Sequence, residues 1–88
     1  MIIKIDKAFE KDTRKISEQK ILHQIADLIE TLQLVNSISE IRNIKKLKSY
    51  SNYYRIRIGN YRIGLQIDSN QIIFIRILHR KDIYTFFP

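Results

Sequence analysis

Arginine and tyrosine side chains are concentrated in one stretch of the chain, Lys45–Arg62, where they could bind a polyanion. This stretch holds four of the five tyrosines and six of the sixteen lysines and arginines, and it contains no acidic residue. Its central segment, Tyr53–Ile58, alternates with a period of two, so a β-strand there places Arg55 and Arg57 on one face and apolar side chains on the other. Neighbouring like charges favour a phosphate-bearing partner, and nucleic acid is the first candidate.

The next two residues, Gly59-Asn60, predict a hairpin that gathers three arginines on one face of a sheet. Glycine at the first position favours a type II′ turn between strands Tyr53–Ile58 and Tyr61–Asp68. In that register the face opposite the buried one carries Arg55, Arg57, Arg62, Gln66 and Gly64. We expect an open cationic platform with bare backbone at the glycine, where a ligand approaches closely. The alternative interpretation is a solvated polar face of a small domain.

A second group of candidates follows the last predicted strand. Arg80 and Tyr84 are four residues apart, so one turn of helix would make them neighbours. His79 points away from Arg80 if the strand continues, and a histidine in such a place is more often structural or solvated. The sequence contains no glycine-rich phosphate loop, paired carboxylates or Ser-His-Asp set. Any catalysis would therefore depend on arginine and tyrosine side chains, with histidine as a further candidate.

Size and composition restrict the chain to one small basic domain. It has 88 residues, a net charge of +7, no cysteine and two histidines, which predicts no disulfide, no metal site and no cofactor. No apolar run reaches the length of a membrane span, and residues 1–12 lack the apolar core of a signal peptide. We expect a soluble cytoplasmic protein without membrane contact. The charge favours phosphate or an acidic protein partner, although a coding bias toward lysine, isoleucine and asparagine is an alternative source of it.

Hydrophobic periodicity predicts one domain spanning residues 1–88. Strands are expected at Ile2–Ile5, Tyr53–Ile58, Tyr61–Asp68 and Gln71–His79, and helices at Lys7–Ser17 and from Ser17 to about Val35. Asp6 and Ser17 are the predicted N-caps. The segment Asn36–Tyr50 fits a helical turn or a packed connector, and Arg80–Phe87 a short helix or turn. The predicted fold is α+β in the order β-α-α-β-β-β, with two N-terminal helices packed on a small, mainly antiparallel sheet.

Two segments, LKSYSNYYRIRIGNYRIGLQID and IIFIRILHRKDIY, resemble the RelE/ParE superfamily of type II toxin–antitoxin toxins. They share with it a tyrosine followed by alternating basic and aliphatic residues, then glycine and a tyrosine–arginine pair, with HRK-x-x-Y after the last strand. The resemblance extends over the whole chain in length and order of elements. It implies a RelE-like fold, a cognate antitoxin protein as partner and a toxin that is monomeric on its own.

RelE-like members cleave mRNA in the ribosomal A site without metal, and the resemblance implies this chemistry here. A ribose 2′-OH attacks the adjacent phosphorus and leaves a 2′,3′-cyclic phosphate. The implied catalytic residues are Arg57, Arg62, Arg80 and Tyr84, the implied RNA- or phosphate-binding residues are Arg55, Arg57, Lys46 and Lys48, and His79 is a possible addition. Tyr84 would take the 2′-OH proton, and Arg80 would stabilise or protonate the leaving oxygen. The hairpin arginines would hold the phosphates and stabilise the phosphorane.

Three residues depart from the superfamily pattern, and two other functions stay open. Arg55 and Arg57 stand where many members have lysine, which keeps the charge but removes an easily titrated base. Ser49 stands where many members have glycine. A ParE-like toxin that poisons DNA gyrase is one alternative, and a basic binding module without catalysis is the other.

Overall fold

The chain forms five β-strands and three α-helices, and the computed structural model describes all of residues 1–88. The strands are β1 (Ile2–Ile5), β2 (Ile44–Lys46), β3 (Tyr53–Ile58), β4 (Tyr61–Asp68) and β5 (Gln71–His79), and the helices are α1 (Lys7–Arg14), α2 (Gln19–Leu34) and α3 (Ile83–Phe86). They make one sheet in the order β1-β5-β4-β3-β2, in which only β1 and β5 are parallel. The predicted α+β fold is confirmed. None of the helices is long and apolar enough to cross a membrane.

The core lies between α1, α2 and one face of the sheet. It is built mainly from isoleucine, and its central strands contribute the fully buried Ile63, Leu65 and Phe74. Phe9 of α1 meets Phe74 edge to face, with 5.3 Å between ring centroids. Each fully buried side chain of this size stabilises the fold by about 1.5–3 kcal/mol relative to exposure. This packing holds β3, β4 and β5 as a rigid support for whatever lies on the opposite face.

The predicted N-cap of α1 is confirmed, whereas the predicted N-cap of α2 is wrong. Asp6 is the N-cap of α1, as predicted, and its carboxylate accepts a hydrogen bond from the Lys7 N–H at 2.9 Å. The helix ends at Arg14 rather than Ser17. The prediction of Ser17 as N-cap of α2 was wrong, because the carbonyl of Glu18 accepts the first intrahelical bonds.

The undecided segment Asn36–Tyr50 contains a 3₁₀ turn, Ile38–Glu40, and the additional strand β2. Ser37 and Glu40 form a capping box around the 3₁₀ turn. The prediction of four strands was therefore one short. A strand of three residues is too brief for period-two alternation to show, and β2 exists through its antiparallel pairing with β3.

A buried ion pair closes the edge of β5 beyond the end of β1, whose pairing stops at Phe74. Asp12 of α1 accepts hydrogen bonds from Arg76 Nε at 2.7 Å, from Arg76 Nη2 at 3.1 Å and from the Ile77 N–H at 3.1 Å. The hydrogen bond to Asp12 raises the pKa of Arg76 above its ordinary value. Asp12 thus accepts a hydrogen bond from a backbone N–H at the edge of β5, where no neighbouring strand is available to accept it.

Candidate functional site

The hairpin β3–β4 places like charges directly opposite one another. Arg57 pairs with Arg62 across the hairpin, and Lys45 of β2 pairs with Arg55. None of these side chains has an acidic partner, since the two salt bridges of the protein are formed elsewhere. Like charges in facing positions destabilise a sheet. The protein therefore carries a concentrated positive field on the sheet face opposite the helices, and an anion would relieve the repulsion.

Arg62 is held in place by the turn that precedes it. Its Nη1 donates to the carbonyl oxygens of Gly59 and Tyr61 at 3.1 and 3.0 Å. Gly59 has a φ of 56°, as the first position of the predicted type II′ turn requires. The guanidinium makes no other hydrogen bond within the protein, so Nε and Nη2 are available to a ligand.

The same arginine lies at the centre of the charged cluster. Burial lowers the pKa of Arg62 below its ordinary value, and the positive charges of Arg55, Arg57 and Arg80 lower it further. The negative charge of an ionised Tyr84 would act in the opposite direction, which places this tyrosine within electrostatic reach too. Arginine stays protonated at neutral pH. The structure thus places the other three residues that the resemblance made catalytic, along with Arg55, within electrostatic reach of Arg62.

Tyr84 stands over one edge of this cluster. The centre of the Arg55 guanidinium is 5.8 Å from the centroid of the Tyr84 ring, within the range of a cation–π contact. The tyrosine is 64% exposed, whereas Ile83 beside it is buried. The short helix α3 is therefore anchored by one side chain and presents the phenol to solvent above a cation.

The bare backbone expected at Gly64 is covered, and that prediction was wrong. Gly64 is buried, and a Cβ atom built there would lie 2.6–2.7 Å from ring carbons of Phe87. Phe87, which is 4% exposed, also meets Tyr53 edge to face at 5.6 Å between centroids. The C-terminal segment folds back across the sheet, so the glycine accommodates this segment of the protein itself.

Two grooves divide the predicted site residues between them. The first, which we call the lysine groove, has a volume of about 400 Å³ and is lined by Lys45, Lys46, Lys48, Arg55, Tyr50 and Tyr84, among others. The second, the arginine groove, has about 960 Å³ between α2 and the β3–β4 turn, and it includes Arg42, Arg57, Arg62 and Arg80. The expected phosphate-binding lysines thus share a groove with the tyrosine, and the other catalytic candidates share the second.

The segment Arg80–Phe87 forms the predicted short helix or turn, and Arg80 lies at its start. The segment forms a turn and then the helix α3, which begins only at Ile83, so Arg80 and Tyr84 do not share one helical turn. The Arg80 N–H instead donates to the Asn60 carbonyl at 2.8 Å, which holds Arg80 beside the hairpin turn.

His79 lines a third groove of about 410 Å³, together with Asp12 and Arg76. Its Nδ1 accepts a hydrogen bond from the Lys81 N–H at 3.3 Å, and its ring meets Tyr61 edge to face. No lining residue of this groove belongs to the lysine or arginine groove. The histidine is therefore set apart from the arginine cluster. No group of three or more acidic or histidine side chains is placed to hold a metal ion.

Sequence reasoning missed two residues that line the grooves, Arg42 and Tyr50. Arg42 lies before β2 and reaches the arginine groove only because β2 pairs with β3. Tyr50 lies in the loop after β2, and its signal in the sequence is an aromatic residue that directly follows a lysine-rich run. Ser49 before it has a φ of 71°, a conformation that glycine adopts without cost.

Comparison with known proteins identifies the family. A family model described as "ParE toxin of type II toxin-antitoxin system, parDE" matches residues 3–84. The chain belongs to the RelE/ParE superfamily of toxins. It is similar to Toxin RelE3 of Methanocaldococcus jannaschii, with 48% identity over 83 residues and 93% of each chain covered. It is also 32% identical to the putative toxin RelE1 of that organism over 81 residues, which are 91% of this chain and 89% of the other.

Solved structures confirm the RelE-like fold of this toxin. A crystal structure of a RelB–RelE antitoxin–toxin complex from Methanococcus jannaschii matches with a TM-score of 0.82 and 46% identity, covering 97% of this chain and 99% of that one. An archaeal RelE–RelB complex from Pyrococcus horikoshii OT3 matches with a TM-score of 0.72 at 19% identity, over 90% and 93% of the two chains. The second likeness shows the fold alone.

Proposed function

We propose that this toxin is a ribosome-dependent mRNA interferase, which cleaves mRNA in the ribosomal A site in the cytoplasm. The observation that carries the proposal is the arrangement around Arg62: three further guanidiniums and an exposed tyrosine surround it. When the ribose 2′-OH attacks the adjacent phosphorus, the non-bridging oxygens of the phosphate gain negative charge. Clustered guanidiniums stabilise that charge. The two RelE relatives and the RelE structural match agree with this choice of target.

The proposed reaction is an internal transfer of the phosphate. The phenolate oxygen of Tyr84 takes the proton from the ribose 2′-OH while O2′ forms a bond to phosphorus. The bond from phosphorus to O5′ then breaks, and its electron pair stays on O5′, which takes up a proton. The products are a 2′,3′-cyclic phosphate and a free 5′-OH. No atom of the protein is consumed once Tyr84 has returned its proton to solvent.

Arg55 and Arg62 have separate parts in this proposal. Arg55 lies under the Tyr84 ring, where its charge stabilises the phenolate form that Tyr84 must have before it can accept the proton. Arg62, fixed by the turn through Nη1, offers its remaining N–H groups to the phosphorane oxygens. Loss of one donor to such an oxyanion lowers a rate by roughly 10²–10³-fold.

The other arginines extend the phosphate-binding surface. Arg57 and Arg80 reach the same centre from β3 and from the turn after β5. Arg80 acts on the leaving oxygen by its charge. Lys46 and Lys48 line the lysine groove, where they bind phosphates that flank the cleaved bond.

We also propose a cognate antitoxin as the partner of this toxin, which is monomeric on its own. The similar toxin from Methanococcus jannaschii was crystallised in a RelB–RelE complex. A net charge of +7 favours rapid, salt-sensitive association with an acidic protein.

Growth inhibition and primer extension on translated transcripts test the proposed function. Expression of the wild-type toxin should arrest growth and produce discrete cuts that depend on translation. The variants Arg62→Ala and Tyr84→Phe should lose both effects while their circular dichroism stays that of the wild type. Retained toxicity in both folded variants would exclude these residues as the catalytic set. Arg14→Ala, which removes an exposed arginine of α1, is the matched control and should remain toxic.

A second candidate target is DNA gyrase, because the matching family model is the one described as ParE toxin. Gyrase-linked DNA breaks without mRNA cuts would establish that function in place of the first. A purely binding role would show as normal RNA binding by the Tyr84→Phe and Arg80→Ala variants, with no cleavage by any form of the protein.

A further inference from the structure

We propose that the lysine groove binds the base of an RNA nucleotide beside the cleaved phosphate, and that the base stacks on Tyr50. The proposal rests on the proposed function, since it takes single-stranded RNA as the ligand. The groove has a volume of about 400 Å³, within the roughly 300–1,000 Å³ typical of small-ligand sites.

The charges of the lysine groove suit a nucleotide. Lys45, Lys46, Lys48 and Arg55 line it, and no acidic residue does. Four cations around one small groove attract phosphate and repel other cations. Positive charge alone would bind any anion. The aromatic side chains in the groove add a preference for an anion that also carries a flat ring.

Tyr50 supplies an exposed aromatic surface in this groove. The side chain is 47% exposed, and its hydroxyl makes no hydrogen bond within the protein. Its ring meets that of Tyr53 at an interplanar angle of 79° with 5.7 Å between centroids. An edge-to-face contact covers at most one face of either ring, so at least one face of Tyr50 is free of Tyr53. A base can stack on that face.

The ring of Tyr50 is also supported by a chain of contacts through two further aromatic rings. Tyr53 rests edge to face on Phe87, with 5.6 Å between centroids, and Phe87 is packed against Gly64. Three aromatic rings thus run from the buried sheet surface to solvent. A braced ring loses little conformational freedom when a base binds, which favours stacking over a freely rotating side chain.

The position of the groove relates the base to the cleaved bond. Tyr84, the proposed general base of the reaction, lines the same groove, and so does Arg55 beneath it. A nucleotide whose base lies on Tyr50 therefore presents its phosphate toward Arg55 and Tyr84. Stacking would hold the RNA strand in register for the 2′-OH attack, in a manner that tolerates any base.

Equilibrium binding of a non-cleavable RNA tests the inference directly. The probe is a 2′-O-methyl trinucleotide, compared with the same trinucleotide carrying one abasic position, and the full chain is used. Tyr50→Ala should weaken binding of the complete probe by roughly 5- to 150-fold, the range for loss of one stacked base, and leave the abasic probe unaffected. Tyr50→Phe should bind as the wild type does, because stacking needs the ring and not the hydroxyl.

The matched control is Phe86→Ala, which removes another exposed aromatic ring, 56% accessible and outside the lysine groove. It should not change the affinity for either probe. A second measurement uses Tyr50→Trp: the chain has no tryptophan, so the introduced indole is the single reporter. Its fluorescence should be quenched by the complete probe and not by the probe that is abasic at the stacked position.

The outcomes separate this inference from the proposed function. Equal affinity of wild type and Tyr50→Ala for the complete probe, in a toxin that still cuts translated mRNA, would overturn the inference alone. Base-dependent binding that requires Tyr50, without any mRNA cleavage, would overturn the proposed function alone. Failure of the wild type to bind either probe, in a toxin that still cuts translated mRNA, would likewise overturn the inference alone.

Discussion

The ring of Phe87 lies directly on the backbone of Gly64, so closely that a methyl group at position 64 would fall 2.6 Å from ring carbons. This contact fastens the C-terminal segment to the sheet face that carries the arginines. Tyr84, three residues earlier, is held over Arg55 by the same segment. The glycine is thus a packing site for the protein's own chain, and through it the sheet positions the proposed general base.

Gly64→Ala should therefore displace Phe87 and weaken both stability and activity. The glycine has no left-handed φ, so alanine fits its backbone, and any effect comes from the collision with the ring. Overpacking of this kind costs about 1–3 kcal/mol. Chemical denaturation measures the loss, and growth inhibition should fall because Tyr84 moves from Arg55.

Combining Gly64→Ala with Phe87→Leu provides the control for that prediction. The smaller side chain leaves room for the new methyl group, so the two changes together should cost less than the sum of each alone. Strictly additive losses would show that the ring and the glycine do not meet as described.

Asp12→Ala should destabilise the fold by about 1–3 kcal/mol, because it leaves the half-buried guanidinium of Arg76 without its hydrogen-bond acceptor. It also removes the acceptor for the Ile77 N–H at the edge of β5. Thermal or urea unfolding measures the change. Glu10→Ala is the matched control on the same helix: its salt bridge with Arg14, at 3.8 Å, is exposed, and such pairs contribute about 0–1 kcal/mol. Similar losses in both variants would contradict a special role for Asp12.

The long strands and the arginine cluster could be predicted because their determinants are local. Alternation over β3 and β4 and the Gly59-Asn60 turn set the register, which the structure reproduces: Ile56 faces Ile63 and Arg57 faces Arg62. Structural features that depend on contacts between distant parts of the chain could not be predicted from the sequence. The strand β2 depends on its pairing with β3, and the cover over Gly64 in β4 comes from the segment that follows β5.

Asp12 illustrates the same limit in the core. Asp12 is one acidic residue on an amphipathic helix, and the sequence pattern does not predict its burial. The burial depends on its partner Arg76, which lies far along the chain. The end of β1 leaves an unpaired edge on β5, and only the assembled sheet shows that a carboxylate fills it.

Inorganic phosphate should stabilise the toxin more than sodium chloride at equal ionic strength. The folded-state pKa of Arg62 is lowered, first by burial and then by neighbouring guanidiniums. Folding therefore disfavours its charged form at every pH below that pKa, neutral pH included. A bound anion offsets this repulsion, and at tenfold excess over its dissociation constant it would contribute about 1.4 kcal/mol.

Thermal melts with and without phosphate measure this effect. The increase in melting temperature should shrink in Arg62→Ala, which removes the centre of the cluster. It should persist in Lys11→Ala, which removes an exposed charge of α1 far from the site. Equal phosphate stabilisation in both variants would mean that the anion binds to general positive charge and not to the arginine cluster.

His79→Gln should leave toxicity largely intact, whereas Tyr84→Phe should abolish it. Both residues could serve as a base by their chemistry, but His79 lies in the groove with Asp12 and Arg76, apart from the arginine cluster around Arg62. Loss of a true general base lowers a rate by roughly 10²–10⁴-fold, so an effect below tenfold in His79→Gln would exclude this role. Single-turnover cleavage on programmed ribosomes distinguishes the two variants. A loss in His79→Gln as deep as that in Tyr84→Phe would require RNA to reach the third groove, which shares no lining residue with the site proposed here.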